Sequence, residues 1–286
     1  MKQKKICLVT GATDGIGRLT ALELARKGAK VIIIGRNSEK GELVTNNIIR
    51  ESQNVDVEFE MADLSSRVEI FNLVARLNRR LGHLDVLVNN VGAWFHKRKL
   101  SADGIEMTFA LNHLSYFLLT GLLLENLLTK AQSARIVNVS SIAHRGPQIN
   151  LDDLQATRQY SGWRAYQTSK LANIFFTFCL ADKLSNSSIT VNCLHPGFVA
   201  SKFGHNNGRF LKLILLAGQQ LFGISQEAGA SSSVFLALSP KVNGQSGGYF
   251  YKCRLSTVAK TADDNRVRDE LWQYSEELTR FKYPHI

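Results

Sequence analysis

"KICLVTGATDGIGRLTALELARKG", residues 5–28, is the stretch on which the fold turns. "KICLVT" (5–10) is a mostly apolar run of strand length, and "GIGRLTALELARKG" has the periodicity of an amphipathic helix closing at Gly28. Between them "TGATDGIG" (10–17) places Gly11, Gly15 and Gly17 in the turn from strand to helix. Glycine there permits unusual backbone angles and lets the backbone approach a pyrophosphate closely. The helix N-terminus then offers free N–H groups and a partial positive charge. Ordinary turns also collect glycine; the position between strand and helix is what favours the phosphate reading.

The same alternation continues outward. "AKVIIIG" (29–35) reads as a strand, "NSEKGELVTNNIIRES" as a helix, "NVDVEFEMAD" as a strand and "RVEIFNLVARLNRRLG" as a helix. Strand "LDVLVNN" (84–90) follows, then a helical stretch over about 103–130 and strand "ARIVNVSS" (134–141). A helix around Tyr166 runs to about Leu184. "SITVNCLH" (188–195) and "GGYFY" (247–251) read as strands, and "DDNRVRDELWQYSEELTRF" as a last helix. Near-continuous apolar strands alternating with helices indicate a parallel sheet covered on both faces. With no linker-like shift in composition, residues 1–286 are expected to form one doubly wound α/β domain.

Composition sets limits. Hydrophobic residues make up 44% of the 286 and charged residues 21%, ordinary for a globular protein. No continuous apolar run reaches the roughly 18 residues of a membrane span. The N-terminal apolar run is too short for a secretory signal. Cys7, Cys179, Cys193 and Cys253 are scattered, without metal-like spacing, so neither a disulfide framework nor a metal site is expected. These features lead to a cytoplasmic expectation. The net charge of +11 favours anionic partners such as nucleotide phosphates or an acidic membrane surface. The basic patches "KQKK" and "HKRK" (96–99) come without any nucleic-acid motif, so they read as solvated lysines and no nucleic-acid partner is expected.

Two further positions carry chemistry. NAD-binding folds commonly end the second strand with an acidic residue that holds the ribose 2′-hydroxyl. Here Gly35 and Arg36 stand there. A guanidinium would bond a 2′-phosphate that a carboxylate would repel, so NADP(H) is expected over NAD(H), unless Arg36 merely begins a solvated loop. Asp63, in "MADLS", is placed either to accept from an adenine amino group or to cap the helix beginning near Ser65. In "AYQTSK" (165–170), Tyr166 and Lys170 are four residues apart and would share one helix face. A lysine charge near a phenol lowers its pKa and lets it move a proton near neutrality.

Taken in order, "TGATDGIG", "NNVG" (89–92), "NHLSYF" (112–117), "VNVSS" (137–141), "YQTSK" (166–170) and "HPGFVAS" (195–201) resemble the short-chain dehydrogenase/reductase family from residue 5 to about 250. "GRN" after strand two, "INLDDLQ" (149–155) and the "SGGYFY…LWQYSEELT" ending resemble its retinol dehydrogenase-like branch. The resemblance implies a Rossmann-type fold and hydride transfer between a nicotinamide and a carbonyl or alcohol. It assigns Tyr166 as acid/base, Lys170 to lower its pKa and hold the nicotinamide ribose, and Ser141, rather than Ser140, to bond the substrate oxygen. Asn112 would anchor a proton-relaying water. Asn89 and Gly92 would line the adenosine side. Pro196, Gly197, Val199 and Ser201 would lie against the nicotinamide, and Thr13, Ile16 and Leu64 complete the cofactor set. Val91, Ser115 and Ser201 depart from the commoner alanine, glycine and threonine; none removes a catalytic group.

The substrate side is less determined. Trp94, Phe95, His96, Phe198 and Phe203 either line an apolar pocket or pack ordinarily. His144 reads as a loop histidine rather than an extra acid/base. "RFLKLILLAGQQLFGI" (209–224) falls within the segment, about 200–225, that covers the substrate in this family; it would form a greasy lid, or else dip peripherally into a membrane surface. "SKLANIFFTFCLADKL" (169–184) would pair with a second copy in a homodimer or face the protomer's own core. The expected function is an NADP(H)-dependent oxidoreductase of small lipophilic carbonyl/alcohol pairs. The rival is a redox sensor that binds NADP(H) without turnover.

Overall fold

The computed structural model describes residues 4–146, 148–197 and 225–284. Eight strands form a single sheet in the order β3-β2-β1-β4-β5-β6-β7-β8. The strands are β1 Ile6–Thr10, β2 Lys30–Gly35, β3 Val57–Met61, β4 Val86–Asn89, β5 Arg135–Val139, β6 Thr190–Leu194, β7 Tyr249–Tyr251 and β8 Arg254–Leu255. All neighbours pair in parallel except β7 and β8.

Apolar side chains on both faces explain why the strands read as continuous hydrophobic runs. Leu8, Ile32, Leu87 and Ile136 pack toward one helical layer, and Val9, Ile33, Val88 and Val137 toward the other. Helices α1 (Gly15–Arg26) and α2 (Ser38–Ser52) and a later helix, α6 (Gln226–Leu238), cover the second face. Helices α3 (Arg67–Arg80), α4 (Met107–Leu128) and α5 (Gly162–Lys183) cover the first. The last helix, α7 (Asn265–Thr279), lies outside α4 and α5. This is the doubly wound α/β sheet that the sequence predicts.

Helix α1 stops before Gly28. Lys27 is its C-cap, Gly28 takes φ +81°, and the N–H groups of Gly28 and Ala29 reach back to the carbonyls of Ala25 and Leu24. That pair of bonds is a Schellman closure, which needs a residue at ease in the left-handed region.

Helix α4 departs from the expected 103–130 span. The chain turns through 101–105, and the Glu106 carboxylate caps the helix by accepting from the Thr108 and Phe109 N–H groups at 2.9 and 2.8 Å. The helix also widens to π geometry over Ala110–Leu114 and Leu124–Leu128. By length and composition α4 is apolar enough to cross a membrane, but 89% of its apolar window is buried inside the protein, as in a core helix.

The apolar face of α5 is used within the protomer. Leu171, Ile174, Phe175, Phe176 and Leu180 are at most 2% exposed. Trp272 of α7 packs edge-on against Phe117, centroids 4.9 Å apart, and stacks on Phe176; Tyr283 donates from its hydroxyl to the Phe117 carbonyl at 2.7 Å. Of the two roles the sequence leaves open for this face, these residues take the one inside the protomer's own core. All four cysteines are free thiols, and only Cys253 is partly exposed.

Candidate active site

The strand order reverses between β1 and β4, and a crevice opens at their carboxyl ends, where doubly wound sheets take their ligands. The Thr10 hydroxyl fastens its floor, accepting from the N–H groups of Asn90 (2.9 Å) and Val91 (3.0 Å). The cleft measures about 560 Å³. Gly11, Thr13, Gly15, Ile16, Gly17, Arg36, Asp63, Leu64 and Gly92 all line it, as expected from the sequence. A Cβ on Gly11 would lie 2.8 Å from the Val91 Cα, and one on Gly17 would lie 2.5 Å from the Gly11 carbonyl oxygen. The absent side chains thus keep the turn tight and the α1 N-terminus open to the cleft.

Arg36 is exposed at the end of β2 and has no hydrogen bond or ion pair among the described residues. Asp63 accepts from the Ser65 N–H and hydroxyl at 2.9 and 2.7 Å, which shapes the turn; the cap of α3 is Ser66. Lys99 and Phe95 also line the cleft, with the Lys99 Nζ 5.9 Å from the Phe95 ring centroid.

Asn89 is the correction. Its side chain turns away from the cleft, fully buried, and donates to Thr120 Oγ1 and Asn138 Oδ1, both at 2.9 Å. Asn90 lines the cleft instead and donates to the Thr10 carbonyl at 2.8 Å. Side chains alternate along a strand, so one residue decides which face is reached.

Beyond the glycine turn four residues that the sequence singles out, Asn112, Ser141, Tyr166 and Lys170, come near one another. Ser141 follows β5, Tyr166 and Lys170 lie one turn apart on α5, and Asn112 sits in the first π segment of α4. The Ser141 side chain is close enough to the Tyr166 phenol to lower its proton affinity. Ser140 has a different task, donating to the Lys170 carbonyl at 2.7 Å and so tying α5 to β5. Lys170 donates from Nζ to the Val139 carbonyl at 3.1 Å, and a Cβ on Gly92 would lie 3.3 Å from that Nζ and 3.4 Å from Asn112 Oδ1. Gly92 therefore joins the glycine-turn end of the cleft to the side chains of Lys170 and Asn112.

Asn112 is locked on every side. Its amide accepts from the Ala93 N–H (2.8 Å) and donates to the Ala93 carbonyl (2.9 Å) and to Ser169 Oγ (3.0 Å). Its backbone carbonyl accepts from Asn173 Nδ2 at 2.9 Å. Asn112 thus sits in a π segment, and such bulges recur at functional sites.

Burial governs the proton affinities. It pushes Tyr166 up to about 12, with Ser141 alone pulling the other way, and pushes Lys170 down to about 7. The expectation that Lys170 depresses the phenol pKa is thus not met by the protein's own groups. Desolvation favours the neutral form of both, and an amine nearly half neutral at pH 7 exerts little pull.

His144 is structural. Its Nδ1 lies 2.7 Å from the Ser141 carbonyl and its Nε2 accepts from the Ala259 N–H at 3.1 Å, so the ring bridges the Ser141 and Ala259 backbones. Trp94 is 9% exposed and packs with Ala143 and Tyr166. Pro196 and Gly197 follow the end of β6, with Gly197 at φ +90°. Val199, Ser201, Phe198, Phe203 and the 209–224 stretch lie outside the described residues.

A doubly wound sheet with a glycine turn after β1 and a Ser–Tyr–Lys cluster at its carboxyl edge defines a nicotinamide-dependent oxidoreductase class. The sequence matches short chain dehydrogenases over residues 5–211, and the chain belongs to the short-chain dehydrogenase/reductase family. Within it, near-full-length similarity places the chain in the retinol dehydrogenase-like branch. It is 38% identical to human retinol dehydrogenase 13 over 99% of its own length and 86% of that protein. It is also 38% identical to human polyprenol dehydrogenase, covering 96% and 85%. Among solved structures it is similar to an uncharacterised Mycobacterium paratuberculosis protein (30% identity, TM-score 0.78, 98% of this chain and 95% of that one). It is also similar to an Escherichia coli short chain dehydrogenase in complex with NADPH (25% identity, TM-score 0.66, 87% and 97%).

Proposed function

We infer that this chain is an NADP(H)-dependent oxidoreductase that interconverts a lipophilic aldehyde or ketone and its alcohol, with Tyr166 as the acid/base. The observation that carries this reading is the convergence of Ser141, Tyr166, Lys170 and Asn112 on the rim that Gly92 shares with the glycine turn. The cleft suits the cofactor: it is a crevice at the carboxyl ends of β1 and β4, open to a helix N-terminus, with an unpaired guanidinium where a ribose 2′-phosphate would lie. The NADPH held by the Escherichia coli neighbour supports that choice. The names of the two curated relatives support a lipophilic substrate.

When bound, the nicotinamide supplies or accepts the hydride. Ser141 and Tyr166 donate hydrogen bonds to the substrate oxygen as negative charge grows there, and Tyr166 gives it the proton. A phenol held near 12 is fully protonated at neutral pH, the form that carbonyl reduction requires. Lys170, whose Nζ lies behind the cleft residue Gly92, would hold the nicotinamide ribose. A relaying water would use the second lone pair of the Asn112 carbonyl, because the first is taken by Asn173. Peripheral membrane contact and a cytoplasmic location stay part of the proposal.

The test is NADPH oxidation with a panel of medium-chain, aromatic and isoprenoid aldehydes. Tyr166→Phe should lower kcat by about 10²- to 10⁴-fold with NADPH binding intact. Arg36→Ala should weaken NADPH by roughly tenfold or more and leave NADH unchanged. A wild type that binds NADPH tightly and turns over nothing would favour the redox sensor.

A further inference from the structure

A buried polar chain joins three helices. His113 of α4, Asn173 of α5 and Ser275 of α7 are at most 1% exposed. Phe109, Phe117 and Phe176 stand around the His113 ring, with centroids 5.0, 6.5 and 6.4 Å away. His113 Nδ1 lies 3.3 Å from Asn173 Oδ1, and its Nε2 lies 2.9 Å from Ser275 Oγ. Asn173 Nδ2 in turn donates to the Asn112 carbonyl at 2.9 Å. What each group can donate or accept fixes the direction of every bond. The Asn112 carbonyl only accepts, so Asn173 turns its NH2 to it and its oxygen to His113. That oxygen also only accepts, so the His113 proton sits on Nδ1. Burial pushes the His113 pKa down to about 4, so the ring is neutral near pH 7 and Nε2 is an acceptor. The Ser275 hydroxyl is the donor that faces it. Three bonds therefore run one way, from the last helix to Asn112, and bonds in such a chain strengthen one another inside an apolar shell.

We propose that His113 is a positioning residue for proton recovery: through Asn173 it fixes the direction in which the Asn112 carbonyl presents its remaining lone pair to a relaying water. The inference rests on the proposed function, in which Tyr166 gives a proton to the substrate oxygen and recovers one by way of Lys170 and the water at Asn112. Acceptance at a carbonyl is directional, so a tilt of that group displaces the water it holds. With His113 in place, the Asn173 amide cannot turn over without setting oxygen against oxygen at Asn112 and N–H against N–H at His113. Without His113, the amide loses the partner that selects its orientation. The Asn112 side chain is held separately, by Ala93 and Ser169, so the chain acts on the backbone carbonyl alone. Space-filling among three phenyl rings would be served as well by an apolar side chain; two ring nitrogens, each with a polar partner, are not needed for it.

The experiment measures NADPH-coupled aldehyde turnover in H2O and D2O. His113→Phe fills the same apolar space and removes both nitrogens. It should lower kcat by about three- to tenfold and raise the solvent isotope effect on kcat, with NADPH binding and aldehyde KM unchanged. His113→Asn returns an N–H near the Nδ1 position but leaves a gap among the three rings. It should turn over faster than His113→Phe while melting at a lower temperature, whereas a purely structural histidine would rank both properties alike. Ser275→Ala is a small change on α7 and decides the matter if the His113 variants do not fold: kcat should fall about twofold, again with a raised isotope effect. Wild-type kcat and isotope effect in these variants overturn the proposal, as does a loss of kcat that merely follows thermal stability. If Tyr166→Phe abolishes turnover, either result leaves the proton donor standing. A wild type without turnover, or one that Tyr166→Phe does not slow, overturns the relay reading and this inference with it.

Discussion

At the scale of single residues, Lys170 is the most consequential position. It titrates near 7 in the folded protein against 10.5 for an ordinary lysine, because burial opposes its charge. Between those pH values the unfolded chain holds a proton that the folded chain has released. The folded state therefore gains relative stability as pH rises through that window and bears the whole penalty below pH 7. Lys170→Met removes the penalty. The variant should melt above the wild type at pH 6, and the difference should shrink toward pH 10; thermal melts at both pH values check this, and an equal gap at both would refute it. Tyr166 and Lys170 stood out as a candidate pair because a four-residue spacing sets them on one helix face, whereas Ser141 was singled out only by the family resemblance. Asn89 was misread because in a doublet such as Asn89–Asn90 the residue type gives no clue to which one faces the cleft. Arg36 drew notice for the complementary reason that a cation stands where a carboxylate is usual, and it lies on the cleft.

At the scale of elements, the central parallel strands were legible because they are largely apolar on both faces, while the edge strand β3 carries Glu58 and Glu60 on one face; the strand ends agree with the expected runs to within a few residues. What was hidden depends on partners distant in sequence. The contacts that fix Asn112 come from Ala93, Ser169 and Asn173, all remote in sequence. The β7–β8 hairpin turns through Lys252 and Cys253 at φ +48° and +59°, without the asparagine or glycine that usually marks such a turn. Gly28 offers a clean test of a helix end. It sits at φ +81° with no atom within 4 Å of an added Cβ, so Gly28→Ala meets no clash and suffers only backbone strain. The cost should be roughly 1 kcal/mol, seen as a lower urea midpoint with an unchanged slope. No change in midpoint would mean that the left-handed closure contributes nothing.

At the scale of the whole molecule, helix α7 decides what the protein shows to its surroundings. Its amphipathic pattern announced a buried face, but nothing local said that the face would land on α4 and α5. Trp272 is the anchor, 7% exposed and in contact with Phe117, Phe176 and Tyr283. Trp272→Ala should cost about 3–5 kcal/mol and loosen the cover, and size-exclusion chromatography should then show species larger than those of the wild type. An unchanged elution profile would mean that the exposed face does not self-associate. The wild-type arrangement has a consequence for dilution. Because α7 is tethered to the surface it covers, its docking is an intramolecular event set by an effective concentration in the millimolar range rather than by the abundance of the protein. A scarce molecule and an abundant one therefore keep this flank equally closed, whereas a cover borrowed from a second chain would fall away as expression drops.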